Sequence, residues 1–141
     1  MSLNLLAVQD QITAKLNELA QDVYETAPPE DSKLRFDTNG MILPYIVVEF
    51  SDMYENALAN GILSTVYDVK SSSIVVSCIA PTERSARQVA GLVREKLTGF
   101  KPADAGELKL EAGGTSYTGS DAKSKRYISE LAFSFPVNTV W

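Results

Sequence analysis

One stretch constrains the fold of this chain more than any other. Residues 71–97, SSSIVVSCIAPTERSARQVAGLVREKL, change hydrophobic period at Pro81. Before the proline they are β-branched or small and mostly apolar, as in a buried strand. After it the apolar positions are Ala86, Val89, Ala90, Val93 and Leu97, the three-and-four spacing of one helical face. The pattern predicts a strand over residues 74–80 running straight into a helix. Thr82 is a good N-cap, because its hydroxyl can accept from an otherwise unpaired N–H of the first turn. Glu83 suits the positive end of the helix dipole and stands four residues before Arg87, while Arg94 and Lys96 suit the opposite end. Gly99 falls at the left-handed position that ends many helices, with Phe100 placed to fold back.

A strand-to-helix corner in an α/β enzyme often binds phosphate on the free N–H groups of the helix start. That use needs glycines that let the backbone close on the anion. APTERS contains none, and Glu83 sets a negative charge at its mouth. The junction is predicted to be a structural corner.

The remaining elements follow from the same periods. Leu5, Val8, Ile12, Leu16, Leu19 and Val23 step by three or four, predicting an amphipathic helix over residues 4–26, capped by Asn4 or Ser2 and stopped by Pro28 and Pro29. A polar connection then ends in the turn signal Asn39-Gly40. YIVVEF, residues 45–50, reads as a strand and SDMYENALANG as a loop. A second strand is predicted near residues 63–69, with KSSS as a hairpin turn into residues 74–80, so that the three strands form a meander. Residues 101–125 read as a long mobile excursion with one short strand at 107–110. From Glu111 onward the excursion holds three glycines and little apolar anchor except Tyr117. RYISELAFSFPV, residues 126–137, closes the chain as a strand. Tyr127, Leu131, Phe133, Phe135 and Val137 share one of its faces with Ser129.

The predicted order is helix, three strands, helix, strand. With 141 residues there is room for a single domain, residues 1–141, burying about 68% of its unfolded surface. The expected fold class is α+β, a two-layer sandwich whose mixed or antiparallel sheet of about four strands carries both helices on one face. That arrangement leaves a surplus. Ile74, Val76 and Cys78 alternate with Val75 and Ile79, and Val47 opposes Ile46, Val48 and Phe50, so both sheet faces are apolar. Either loops fold over the open face or a second copy covers it, and the second alternative is the expectation.

Chemistry is limited by what is missing. The chain has no histidine, which removes the commonest general base and the usual zinc ligand, and its single cysteine, Cys78, forms no thiolate cluster. Cys78 lies in the most apolar stretch and reads as a small core residue. Gly114 and Gly119 have phosphate-loop spacing, but Ser120-Asp121 follows where Lys and Ser/Thr are needed. Ser120 and Lys123 match a Ser-x-x-Lys nucleophile pattern that needs a helix start in a larger protein. Asp52, Glu55, Asp104, Glu107, Glu111 and Asp121 are scattered without metal-ligand spacing. No enzymatic site and no cofactor are expected. A net charge of −5, with no basic run longer than KSKR, argues against gripping nucleic acid. No apolar run approaches the roughly 20 residues of a membrane span, and the N-terminal segment lacks the basic start of a signal peptide.

The order of elements resembles a family. An N-terminal helix, LPYIVVEF, a polar loop, SIVVSCIAPTERSARQVAGLVREKLTGF, a variable excursion and RYISELAFSFPV together look like the tail terminator (tail completion) proteins of long-tailed bacteriophages. The resemblance spans residues 5–137, and its most telling part is the strand, the Ala-Pro-Thr corner and the helix ending in Leu-Thr-Gly-Phe. It implies a non-enzymatic virion protein, assembled in the bacterial cytoplasm. Six copies would form a ring that caps the tail tube, halts its growth and offers the docking surface for the head connector. It therefore implies three partners: the chain itself, a tail tube protein and a head–tail connector. The contacts expected to serve tube, connector or neighbouring subunit are Asp52, Tyr54, Glu55, Tyr117, Asp121, Lys123, Lys125 and Arg126. Six copies at −5 each carry −30, so DNA would pass the ring channel without sticking, with Asp52, Glu55, Asp104 or Glu107 lining it. Another neck, tail or baseplate component, or an oligomeric interaction module, is the alternative reading.

Overall fold

The computed structural model describes residues 5–25, 35–51, 54–55, 67–103, 105–118 and 126–140. In chain order the elements are α1 (Leu5–Leu16), β1 (Asp22–Glu25), β2 (Tyr45–Phe50), β3 (Tyr54–Glu55), β4 (Tyr67–Ala80), α2 (Glu83–Leu97), β5 (Lys109–Thr118) and β6 (Arg126–Val140). β4 and β6 are the spine, paired antiparallel from Tyr67 opposite Val140 to Ala80 opposite Tyr127. β2 flanks β4 and β5 flanks β6, giving the order β1-β2-β4-β6-β5, with β3 also paired to β4. Only the β1–β2 pair is parallel among the described strands.

Alternation along these strands assembles the core. Val48, Val76 and Leu131 lie in one row across the sheet, and Phe50, Ile74 and Phe133 in the next. Val8, Ile12 and Leu16 of α1 and Val89, Ala90, Val93 and Leu97 of α2 pack onto that face. The expected α+β architecture, with both helices on one sheet face, is what the chain adopts. α2 also matches in detail. Thr82 Oγ1 accepts from Ser85 N at 3.1 Å, Arg87 Nε lies 3.9 Å from Glu83 Oε1, and Gly99 has φ +79°.

Four expectations change. The predicted helix over 4–26 stops at Leu16, where Glu18 N and Leu19 N donate to Lys15 O and Leu16 O in a tightening last turn. Val23 kept the helical spacing by coincidence, because it belongs to β1 and pairs beside Ile46. Strand-forming Val23 and Tyr24 gain more from the sheet edge than from a further helical turn. The caps Asn4 and Ser2, and Pro28 and Pro29, lie outside the described residues.

Next, KSSS is no turn. Residues 67–80 are one continuous strand of 14 residues. Nothing in KSSS demands a left-handed or proline-fixed backbone, and the serines find partners inside the sheet. Ser72 Oγ donates to Ser51 O at 3.1 Å, and Ser73 N donates to Ser51 Oγ at 2.8 Å. Residues 63–66 of the predicted second strand lie outside the described residues.

Third, residues 111–118 are not a mobile excursion but most of β5, paired along β6 with a bulge at Glu111. The glycines that suggested a loop serve the strand. A β-carbon at Gly113 would stand 3.1 Å from Leu131 Cδ2, so a larger residue there would press on that buried side chain. Finally, the sheet has six strands among the described residues where about four were expected, because β1, β3 and most of β5 were read as helix or loop while β4 was read as two strands.

Candidate functional site

The face of the sheet away from the helices and the outer edges of β5 and β1 are surfaces that the described fold leaves for contact. Part of the open face is covered from within. Residues 35–43 form a tight turn in which Asp37 Oδ1 accepts from Asn39 N and Met41 N, and Gly40 takes φ +79°. Phe36 and Ile42 bridge across it. Ile42 joins Tyr45, Val47 and Ile79 in a second apolar cluster, flanked by Tyr24 and Ile128. Tyr24 meets Tyr45 edge-on, ring centroids 5.8 Å apart. A chain segment therefore covers the Val47–Ile79 surplus that was expected to need a second copy. Beyond the cluster the face turns small and polar: exposed Glu49 and Glu130 flank half-buried Val75, Ser77 and Ala132.

The predicted contact residues fall in different places. Asp52, Asp121, Lys123 and Lys125, like Asp104, lie outside the described residues. Tyr54 and Glu55 form β3, opposite Ser71 and Lys70. Tyr117 sits within β5, opposite Tyr127. Arg126 opens β6 opposite Thr118 and is half-buried. Tyr117 and Arg126 thus meet at one end of the β5–β6 ladder, whereas Tyr54 and Glu55 lie across β4 from it. Glu107 is exposed just before β5.

Sequence reasoning missed the β5 edge itself. Ala112, Gly113 and Gly114 are exposed on an outermost strand. The signal was the strand-forming Thr115, Tyr117 and Thr118 directly after the glycine pair.

The described residues hold no group of three or more Cys, Asp or Glu side chains able to bind a metal. The opening corner is occupied by its own cap, Thr82, whose Oγ1 also bonds Ser85 Oγ at 2.8 Å. Cys78 is fully buried, and burial pushes its thiol up to about 12, so it is not a nucleophile near neutral pH. No described helix is long and apolar enough to cross a membrane.

The fold has solved counterparts. The chain is similar in fold to one from the virion of a native gene transfer agent (GTA) particle. The two superpose with a TM-score of 0.66 at 18% identity, over 96% of this chain and 97% of that one. No protein-family model matches the sequence, and no curated protein is significantly similar to it.

Proposed function

We propose that this chain is a one-domain structural subunit of a virion of phage or gene-transfer-agent type, acting as a tail terminator. Its work is assembly and not catalysis. Copies close into a ring that caps the tail tube, stops its polymerisation and presents the surface on which the head connector docks. The observation that carries this reading is the end-to-end likeness in fold to a chain of a virion particle, which joins the order of elements that resembles tail terminators. The residue chemistry agrees, since the chain lacks histidine and its one thiol is buried and protonated.

A ring needs heterologous contacts, in which one surface of each copy meets a different surface of the next. The contacts toward tube and connector are Asp52, Tyr54, Glu55, Asp121, Lys123 and Lys125. Tyr117 and Arg126 stand beside the β5 edge. The test is reconstitution. Mixed with the tail tube protein encoded beside it, the chain should cap tube ends as a ring visible by electron microscopy and arrest tube elongation. Tubes that grow unchecked with bare ends in its presence overturn the reading.

A further inference from the structure

The sheet has two outer edges, and they are unequally defended. β5 begins with Lys109, Glu111 and the bulge at Glu111, three devices that keep a strand edge from pairing with another chain. Residues 112–118, Ala-Gly-Gly-Thr-Ser-Tyr-Thr, then carry no charge, no proline and no further bulge. Ala112, Gly113 and Gly114 are exposed, and open space surrounds the position of a Gly114 β-carbon, so another backbone can approach closely. The opposite edge, β1, has both its charges engaged. Arg35 Nε donates to Asp22 Oδ2 at 2.7 Å, and Thr13 Oγ1 donates to Glu25 Oε1 at 2.9 Å. An uncharged centre, Val23-Tyr24, is left between them. Among the described residues no further strand pairs with either outer edge.

Strand direction makes the two edges complementary. β1 and β2 run together, β4 runs against them, β6 runs with β2, and β5 runs with β4. β5 and β1 therefore point in opposite directions. A second copy turned about an axis parallel to the strands keeps its helices on the same face and presents its β1 antiparallel to the first copy's β5.

We propose that residues 112–118 at the edge of β5 pair antiparallel with β1 of the next copy of the chain, so that successive sheets continue into one another. The contact is heterologous, uses main-chain hydrogen bonds, and leaves both edges of each internal copy filled. This inference rests on the ring reading above and assigns it an interface.

Disulfide trapping tests it. Tyr24 and positions 112, 114 and 116 fall on the open face of the sheet, where directly opposed residues on paired strands come within disulfide reach. Chains carrying Tyr24→Cys with Ala112→Cys, Gly114→Cys or Ser116→Cys are oxidised and run without reductant. Buried Cys78 stays out of the reaction. At least one pair should give a ladder of covalent dimers, trimers and larger species, and Leu92→Cys paired with Tyr24→Cys should give none. Because Tyr24 packs on Tyr45, a second variant leaves β1 native: Ser116→Lys should weaken self-association at least tenfold by native mass spectrometry while keeping the wild-type circular dichroism spectrum. Dimers alone indicate β5 pairing with itself and overturn the proposal. Rings that form without any ladder, and that Ser116→Lys leaves intact, overturn the edge contact but keep the ring. A chain that stays a single copy even with the tube protein overturns both.

Discussion

Gly106 and Pro136 tie the connection before β5 to β6. Gly106 N donates to Pro136 O at 2.8 Å, and a β-carbon on Gly106 would lie 2.3 Å from Pro136 Cγ and 2.7 Å from Cδ. The proline ring is rigid, so it has no flexible end to move aside. Around this contact, Gly99 N donates to Leu108 O and Leu108 N to Phe100 O, which fastens the end of α2 to the start of β5. Leu108 and Ala105 are buried with the main core.

Gly106→Ala should therefore destabilise the protein by about 1–3 kcal/mol, the usual cost of forcing an atom into a filled space. Gly91→Ala, in the exposed middle of α2 with nothing within 4 Å of the new β-carbon, should instead stabilise it by about 0.4–1 kcal/mol. Urea midpoints read both. Equal destabilisation by the two substitutions would contradict the packing described for Gly106.

Truncation of the interlayer core should be costly in proportion to burial. Leu16 and Val93 are fully buried between helices and sheet. Leu16→Ala and Val93→Ala should each cost about 2–4 kcal/mol. Leu92, one residue along α2 and 40% exposed, should tolerate alanine within about 0.5 kcal/mol. Thermal unfolding of the three variants checks the face assignment, since a large loss at Leu92 would place the wrong side of α2 against the sheet.

The cap and the ion pair at the start of α2 should separate clearly. Thr82→Ala removes the hydroxyl that accepts from Ser85 N and should cost about 1 kcal/mol. Glu83 and Arg87 are both exposed and 3.9 Å apart, so Arg87→Ala should change stability by less than about 0.5 kcal/mol. A larger loss from Arg87→Ala than from Thr82→Ala would mean that charge, and not the cap, fixes the corner.

Duplex DNA should not be retained. With −5 per chain, no basic run longer than KSKR, and exposed Glu49 and Glu130 on the open face, the chain has little of the clustered positive charge that releases counterions from phosphate. A gel-shift titration at physiological salt should show free duplex throughout. Tight binding that weakens steeply with added salt would falsify the non-sticking channel.

What the sequence disclosed depended on whether local and tertiary preferences agreed. In α2 the cap, the apolar stripe and Gly99 all point to one answer, and its register was legible to the residue. At Val23 the helical spacing and the β-propensity disagree, and only the parallel partner Ile46 decides between them. Gly113 and Gly114 read as a loop because glycine disfavours strands in isolation. The smallness of Gly113 instead answers Leu131 across the ladder, a contact invisible along the chain. KSSS failed similarly, since Ser51, which receives its hydrogen bonds, lies more than twenty residues away. Which of the predicted contacts gather in space was not legible along the chain, because β3 and the end of β5 lie on opposite sides of the β4–β6 spine.

Stability should also fall at alkaline pH in a way that reports on Cys78. The thiol is fully buried, and desolvation raises its pKa from an ordinary 9.0 to about 12. Below pH 9 folded and unfolded chains both keep the proton, so the thiol contributes no pH dependence. Between pH 9 and 12 the unfolded chain releases it while the folded chain holds it, and the unfolded state is favoured progressively as pH rises. At pH 10 the loss from this group is about 1.4 kcal/mol relative to pH 8. Cys78→Ala removes the group from both states, so wild type should lose about that much more stability than the variant between pH 8 and pH 10. The difference between the two proteins is the readout, because every other ionisable group is common to both. Parallel stability curves across that interval would mean that the thiol ionises in the folded protein as readily as in the unfolded chain, and that the core around Ile46, Val76 and Leu131 admits water.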